Sequence, residues 1–187
     1  MTEPPPDDAR DIALRRATAE DAPEILRLLR GLAAHVGEPA ACAATAADLV
    51  AHGFGERPAF EAVLAVRGGR EVGLVLYFFT FSTWRGRPGV YVQDLYVGPE
   101  ARGIGLGRRL LAAAAAAGAA RGCDHLRLSV ALTNLDAQKF YHRLGLEPVD
   151  ADVTYRLDGD GFHALAAAAA AAAGRRDRAD RGGPGAC

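Results

Sequence analysis

The feature that most constrains this chain is Arg102-Gly103-Ile104-Gly105-Leu106-Gly107-Arg108, where glycine takes every second place. It lies between a β-prone stretch, Val90 to Val97, and a segment whose Leu106, Leu110 and Leu111 mark one side of a helix reaching about Ala120. Alternating glycines let a backbone curl closely round a ligand, because no side chain blocks the approach. Successive N–H groups then point inward as an anion nest. The helix start adds unpaired donors and a partial positive charge, and Arg102, Arg108 and Arg109 add more charge nearby. Such a loop suits a pyrophosphate. It is not a P-loop, because no Gly-Lys-Ser/Thr follows. Nor is it the dinucleotide fingerprint, because the spacing is G-x-G-x-G and the place is mid-chain. The competing reading is a turn that merely joins strand to helix.

The rest of the chain alternates between the two periodicities. Ile12 to Arg16 reads as a strand, and Thr18 with Asp21 as a capping box. Ile25, Leu28, Leu29 and Leu32 form one helix face, and Thr45 to His52 a short second helix ended by Gly53-Phe54-Gly55. Ala62 to Val66 and Val72 to Phe81 read as a hairpin about Gly68-Gly69; Val90 to Val97 should pair with the second of these across Arg85 to Gly89. His125 to Leu132 alternates as a strand. Asn134 to Leu144 reads as a helix whose Ala137, Phe140, Tyr141 and Leu144 share a face, with Gly145 as its C-terminal cap. Val153 to Leu157 reads as a last strand. The order β-α-α-β-β-β-α-β-α-β predicts an α/β (α+β) fold: a mixed, mostly antiparallel sheet flanked by helices, with a parallel βαβ segment over 90–132. Residues 1–11 are expected to be a disordered leader, 12–160 the domain, 161–173 an alanine-rich helix and 174–187 a disordered tail.

Composition excludes several classes. A formal net charge of −1 over 187 residues gives no global attraction for nucleic acid. The N-terminus is acidic and proline-rich without an apolar core, and the longest alanine run is too short to span a bilayer, so a cytoplasmic protein is expected. Cys42, Cys123 and Cys187 form neither a disulfide framework nor, with the five histidines, a metal-ligand pattern. Ser82 and Ser129, the only serines, lie in no nucleophile-elbow setting.

Arg102-Gly103-Ile104-Gly105-Leu106-Gly107 resembles the R/Q-x-x-G-x-G/A motif of the GNAT superfamily of N-acetyltransferases, with Leu95-Tyr96-Val97 before it and Asn134, Phe140-Tyr141 and Leu144-Gly145 after it in the right order. The likeness spans roughly Ile12 to Leu157. Within the superfamily the chain is most similar to the diamine acetyltransferases (spermidine/spermine and thialysine enzymes), through Leu14-Arg15-Arg16-Ala17-Thr18, Gly53-Phe54-Gly55-Glu56, Tyr77-Phe78-Phe79-Thr80 and Tyr91-Val92-Gln93-Asp94.

This resemblance implies a GNAT-type sheet and transfer of acetyl from acetyl-CoA to a primary amine of a small molecule. It implies that the backbone of Gly103, Ile104, Gly105, Leu106, Gly107 and Arg108, with Arg102, holds the coenzyme's pyrophosphate. Leu95, Tyr96 and Val97 would bond the pantetheine arm, and Asn134 would also contact the coenzyme. Tyr141 matches the family's general acid; read alone it is a core tyrosine with its hydroxyl bonded elsewhere. Asp94 is the candidate base or amine anchor, its other reading being a structural aspartate. Gln93 stands where the diamine enzymes carry glutamate, and Glu38 is the one carboxylate in a loop where they carry several. Tyr155 is expected to line the acceptor pocket. A homodimer is expected by resemblance, and no metal. A non-catalytic acetyl-CoA sensor and a protein or peptide acetyltransferase remain as alternatives.

Overall fold

The computed structural model describes residues 11–149 and 154–167. The chain divides into two compact units, Met1–Leu146 and Glu147–Cys187, so the division falls within the span 12–160 read from sequence as one domain. The first unit is a five-stranded sheet in the order β1-β2-β3-β4-β5, built from β1 (Ile12–Arg16), β2 (Glu61–Arg67), β3 (Arg70–Ser82), β4 (Arg87–Val97) and β5 (Leu126–Leu128). Neighbouring strands are antiparallel except β4 and β5, which run parallel.

Four helices flank the sheet: α1 (Ala22–His35), α2 (Ala46–Gly53), α3 (Leu106–Ala119) and α4 (Leu135–Arg143). The chain enters α1 through the expected Thr18–Asp21 box, which first closes a short 3₁₀ turn; the Thr18 N–H donates to Asp21 Oδ2 at 2.8 Å. Arg15 grips both Asp21 oxygens at 2.7 Å. That charge-assisted fork holds the Asp21 carboxyl down at about 2.

Alternation along the strands divides the core in two. On one face Ile25, Leu26 and Leu28 of α1 and Leu49 of α2 bury Leu64, Leu74 and Leu76. On the other, Leu106, Leu110, Leu111 and Ala114 of α3 cover Val63, Val75, Val90 and Val92. Each buried leucine contributes about 1.5–3 kcal/mol. Just past the C-terminal end of α3, Arg121 pairs with Glu61 and lies 4.1 Å over the Phe79 ring. Glu61 also binds Arg16 and accepts from the Tyr77 hydroxyl, which burial first and then Glu61 push up to about 12.

Two expected strands differ. The stretch His125 to Leu132 pairs only over Leu126–Leu128, because the chain leaves β4 beyond that point. The last strand, Val153 to Leu157, is not formed over 154–157, which has no regular structure; Val153 lies outside the described residues. Tyr155 and Leu157 are exposed, and apolar alternation alone does not hold a strand. The alanine-rich helix is described only over 159–167, and the leader 1–10 and tail 174–187 lie outside the described residues.

Helix α3 approaches the sheet through Gly118, where an added Cβ would lie 2.2 Å from Val90 Cγ2. Gly118→Ala is expected to destabilise the protein by about 1–3 kcal/mol, as overpacking does, measured as a lower urea midpoint at unchanged m-value.

Candidate active site

The site begins where β4 loses its second neighbour. Val90, Tyr91 and Val92 pair with Leu126, Arg127 and Leu128, and there the parallel pairing ends. The Tyr91 hydroxyl meets Ser129 Oγ at 2.8 Å, pinning the point of divergence. From Gln93 to Val97, β4 is bonded to β3 alone. The Gly98 N–H donates to Val72 O, which makes Gly73 and Val97 a pair whose own backbone groups face away from each other. Leu95 and Val97 therefore turn their N–H and C=O to the open side, while those of Tyr96 turn to β3. The Val97 carbonyl accepts from Arg102 Nε at 3.0 Å, so Leu95 keeps both groups available and Val97 its N–H.

A bulge sits at the same place. Leu76 opposes Asp94 and Tyr77 opposes Val92, leaving Gln93 as an extra residue in β4. Val92 and Leu95 pack against the α3 side, whereas Leu76 and Tyr96 belong to the α1 side. Asp94, opposite Leu76 and two residues from Tyr96, lies on the α1 face. It is half-buried and has no hydrogen-bond partner among the described residues, and burial raises its carboxyl pKa. Gln93 is exposed.

Beyond β4 the chain passes a 3₁₀ turn, Pro99–Ala101, into the glycine loop. Gly103 and Gly105 have φ of 80° and 79°, in the left-handed region that glycine adopts without strain. Gly105 is the N-cap of α3. The N–H groups from Gly103 to Arg108 donate to no described residue, and the first ordinary helical bond is Arg109 N–H to Gly105 O. Here are the open donors an anion needs, at a helix start, with the exposed Arg108 beside them. A Cβ at Gly103 or Gly105 would meet nothing within 4 Å. The geometry fits a pyrophosphate, and the open β4 edge fits an extended amide-bearing arm beside it. Arg109 is not part of this cradle: its guanidinium donates to Ile12 O at 2.6 Å and ties α3 to β1. Arg102 lies 6.0 Å from the Tyr96 ring centre, in addition to its bond to Val97.

Tyr141 lies on the other side of the sheet from Asp94. It is half-buried against the core face that includes Leu106 and Leu110, and its hydroxyl has no hydrogen-bond partner among the described residues. Burial raises its pKa. Asp94 and Tyr141 thus lie on opposite faces of the sheet, Asp94 on the α1 side and Tyr141 on the α3 side. Asn134 caps α4, its Oδ1 accepting from the Ala137 N–H at 3.1 Å, so only its amide nitrogen is left for another role. Glu38 is exposed ahead of the 3₁₀ turn Pro39–Ala41. Tyr155 lies in the second unit, its residue 92% exposed.

Three features escaped the sequence reading. The bulge at Gln93 left no signal. Phe140 read only as a face residue of its helix, yet it contacts Gly107. Gly31 is a glycine inside a helix, which did carry a signal of close approach: a Cβ there would lie 2.9 Å from the Tyr96 ring. Among the described residues no group of His, Cys, Asp or Glu could hold a metal ion, and no helix is long and apolar enough to cross a membrane.

Comparison with known proteins agrees with this geometry. The profile of the acetyltransferase (GNAT) family matches residues 20–146. Thialysine N-epsilon-acetyltransferase of Bos taurus is 34% identical over 166 residues, covering 83% of this chain and 97% of that protein. The structure superposes on an integron cassette protein from the mobile metagenome of V. cholerae with a TM-score of 0.70 at 25% identity, covering 83% of this chain and 98% of that one. An aminoglycoside N-acetyltransferase in complex with CoA shares the fold at TM-score 0.61 and 18% identity, covering 79% and 95%. On the family match and this degree of identity, the chain belongs to the GNAT acetyltransferase family and is an acetyl-CoA-dependent N-acetyltransferase.

Proposed function

We propose that the acceptor is a primary amine of a small molecule of the diamine or lysine-analogue class, with Asp94 receiving the amine and Tyr141 protonating the leaving thiol. One observation carries this reading: two half-buried ionisable groups without a hydrogen-bond partner among the described residues lie on opposite faces of the sheet, Asp94 on β4 itself and Tyr141 on the α3 side. The 34% identity to a thialysine acetyltransferase over most of both chains supports the substrate class.

Acetyl-CoA supplies an activated thioester. The loop N–H groups from Gly103 to Arg108 bind its pyrophosphate. The outward N–H and C=O of Leu95 and the Val97 N–H bond the arm, and the two N–H groups are the donors open to an oxyanion, where one such donor is worth about 3–4 kcal/mol. Tyr96 has its backbone committed to β3 and contributes its ring to the acceptor face instead. Asp94 attracts the ammonium and takes its proton, directly or through water, leaving a neutral amine to form the N–C bond. As the C–S bond breaks, Tyr141 gives its proton to the sulfur; a buried phenol with a raised pKa holds that proton at neutral pH. Gln93 orients the amine but takes no proton. Asn134 can offer its amide N–H to the coenzyme while its oxygen caps α4.

Asp94 is the one unpartnered carboxylate on this face of β4, and Glu38 is exposed in a loop without others. A short amine with one ammonium at the site is therefore favoured over an extended polyamine, which needs several spaced carboxylates. The same reading takes the protein as a cytoplasmic homodimer, on family likeness; sedimentation as a monomer would overturn the dimer.

Purified protein mixed with acetyl-CoA and a panel of lysine analogues, diamines, polyamines and peptides should release thiol fastest with the first two. Peptides as the best acceptors, or coenzyme binding without release for any amine, would overturn the assignment. Tyr141→Phe is expected to lower kcat about 10²–10⁴-fold with coenzyme binding unchanged by calorimetry.

The pH behaviour follows from the two shifts. Because the Asp94 pKa is raised, activity should fall on acidification at a pH above the ordinary carboxylate value of about 4, and this limb should vanish in Asp94→Asn. Because the Tyr141 pKa is raised, its alkaline limb should lie above about pH 10.

A raised carboxyl pKa also means that the folded state binds the proton more tightly than the unfolded chain. The Asp94 contribution therefore turns unfavourable as pH rises from the unfolded pKa through the folded one. Asp94→Asn should melt above wild type at pH 7 and with it at about pH 3. Equal melting at both would show that burial does not strain the carboxylate.

A further inference from the structure

Helix α4 carries Tyr141, yet it is weakly seated. Its nine residues are too few for a helix to persist on its own, and none of them is fully buried. Its ends are secured locally. Asn134 caps the start, and Gln138 Nε2 donates to the carbonyls of Ala131 and Leu132 at 3.0 and 2.9 Å. At the other end Gly145, at φ 83°, lets the Leu146 N–H return to Tyr141 O at 3.1 Å. These bonds shape the helix without placing it on the rest of the unit.

Placement comes from side chains. Tyr141 and Leu144 rest on the α3 core face. The Phe140 ring reaches the first turn of α3 at Gly107, where an added Cβ would lie 3.2 Å from Phe140 Cζ and 3.6 Å from Cε2. Phe140 and Tyr141 stand edge-to-face, their centres 5.2 Å apart at 61°. Gly107 therefore offers its N–H to the anion nest while its missing side chain leaves the seat for Phe140. Because the two rings also pack together, a displacement of Phe140 is passed to Tyr141.

We propose that Phe140 is a positioning residue for Tyr141, and that its contact with Gly107 sets the phenol's place relative to the pyrophosphate loop. This rests on the reading of Tyr141 as the acid. At Gly107 a methyl would ask the Phe140 ring to give by a few tenths of an ångström, whereas Gly103 and Gly105 are glycine for their backbone angles.

The test is a mutant cycle in the full chain, with kcat, the KM for amine and the Kd for coenzyme A measured for each variant. Phe140→Leu leaves the seat empty and is expected to lower kcat roughly 10-fold, with KM and Kd within about 2-fold, since small misplacements of a reacting group weigh on rate. Gly107→Ala, whose methyl pushes the ring aside, should lower kcat similarly. The double variant Gly107→Ala/Phe140→Leu lets the shorter side chain accept the methyl, and its kcat should return to within roughly 3-fold of wild type, a coupling that independent sites do not show. In a Tyr141→Phe background, Phe140→Leu should cost nothing more.

Wild-type kcat in Phe140→Leu beside an inactive Tyr141→Phe overturns the positioning role alone, as do losses that multiply in the double variant. Loss of coenzyme binding in step with kcat would make Phe140 a support of the loop and also overturns it. Full activity of Tyr141→Phe overturns the acid assignment together with this proposal.

Discussion

Everything in the site depends on β4 and β5 parting after three residue pairs. Parallel pairing at Val90 to Val92 holds the strands together at one end. Beyond it, β4 continues with one edge unpaired inside the protein. An unpaired strand edge in a folded unit is a standing cost, because backbone donors and acceptors shielded from water need partners. In the proposed function the missing partner is an extended ligand, which takes the place that a fully paired β5 would fill. The bulge at Gln93 belongs to the same device. By inserting one residue it turns Asp94 to the α1 face while Leu95 returns to the α3 side, so the carboxylate stands beside the stretch that β5 leaves open.

The second consequence is electrostatic. Asp94 and Tyr141 are both half-buried, and neither has a protein partner among the described residues. Burial shifts both in the direction that disfavours charge. For a tyrosine acid this favours function, since the proton stays until a thiolate takes it. For the aspartate it brings the pKa nearer the working pH, where a base is both deprotonated and strong enough to accept a proton. Elsewhere in the unit charges are handled differently. Arg15 with Asp21, and Glu61 with Arg16, Arg121 and Tyr77, form paired networks at the opposite side of the sheet from the open edge. The unpaired groups are concentrated where ligands would complete them.

Most of the fold was legible because the periodicities were strong and the turns well marked. The hairpins about Gly68-Gly69 and Arg85 to Gly89, the capped helices and the Gly145 stop all stand where the sequence placed them. The two strands that differ expose what periodicity cannot see. Leu126, Leu128, Val130 and Leu132 alternate faultlessly, yet pairing ends at Leu128 because register depends on the neighbouring strand and not on the segment itself. Tyr155 and Leu157 alternate too, yet 154–157 has no regular structure. Within the site, the loop and Tyr141 were visible through residue types at fixed spacing. The commitment of the Arg109 guanidinium to Ile12 and the turn of the Tyr96 backbone toward β3 were not, because the first is decided by a contact distant in sequence and the second by strand parity.

Glycine shows the same limit in one residue type. In the run Gly103, Gly105, Gly107 the three look equivalent, and a motif treats them so. The backbone separates them: the first two adopt left-handed angles with open space where a side chain would stand, and the third has an ordinary helical backbone with Phe140 in that space. Replacing either of the first two strains the chain itself, whereas replacing the third disturbs a neighbour. Gly31 and Gly118 are of the third kind, each admitting a helix closer to the sheet than a side chain would allow, beside Tyr96 and Val90 respectively. Both of those residues lie on β4. A glycine in the helix on each face thus makes room for a β4 side chain, Tyr96 on the α1 side and Val90 on the α3 side.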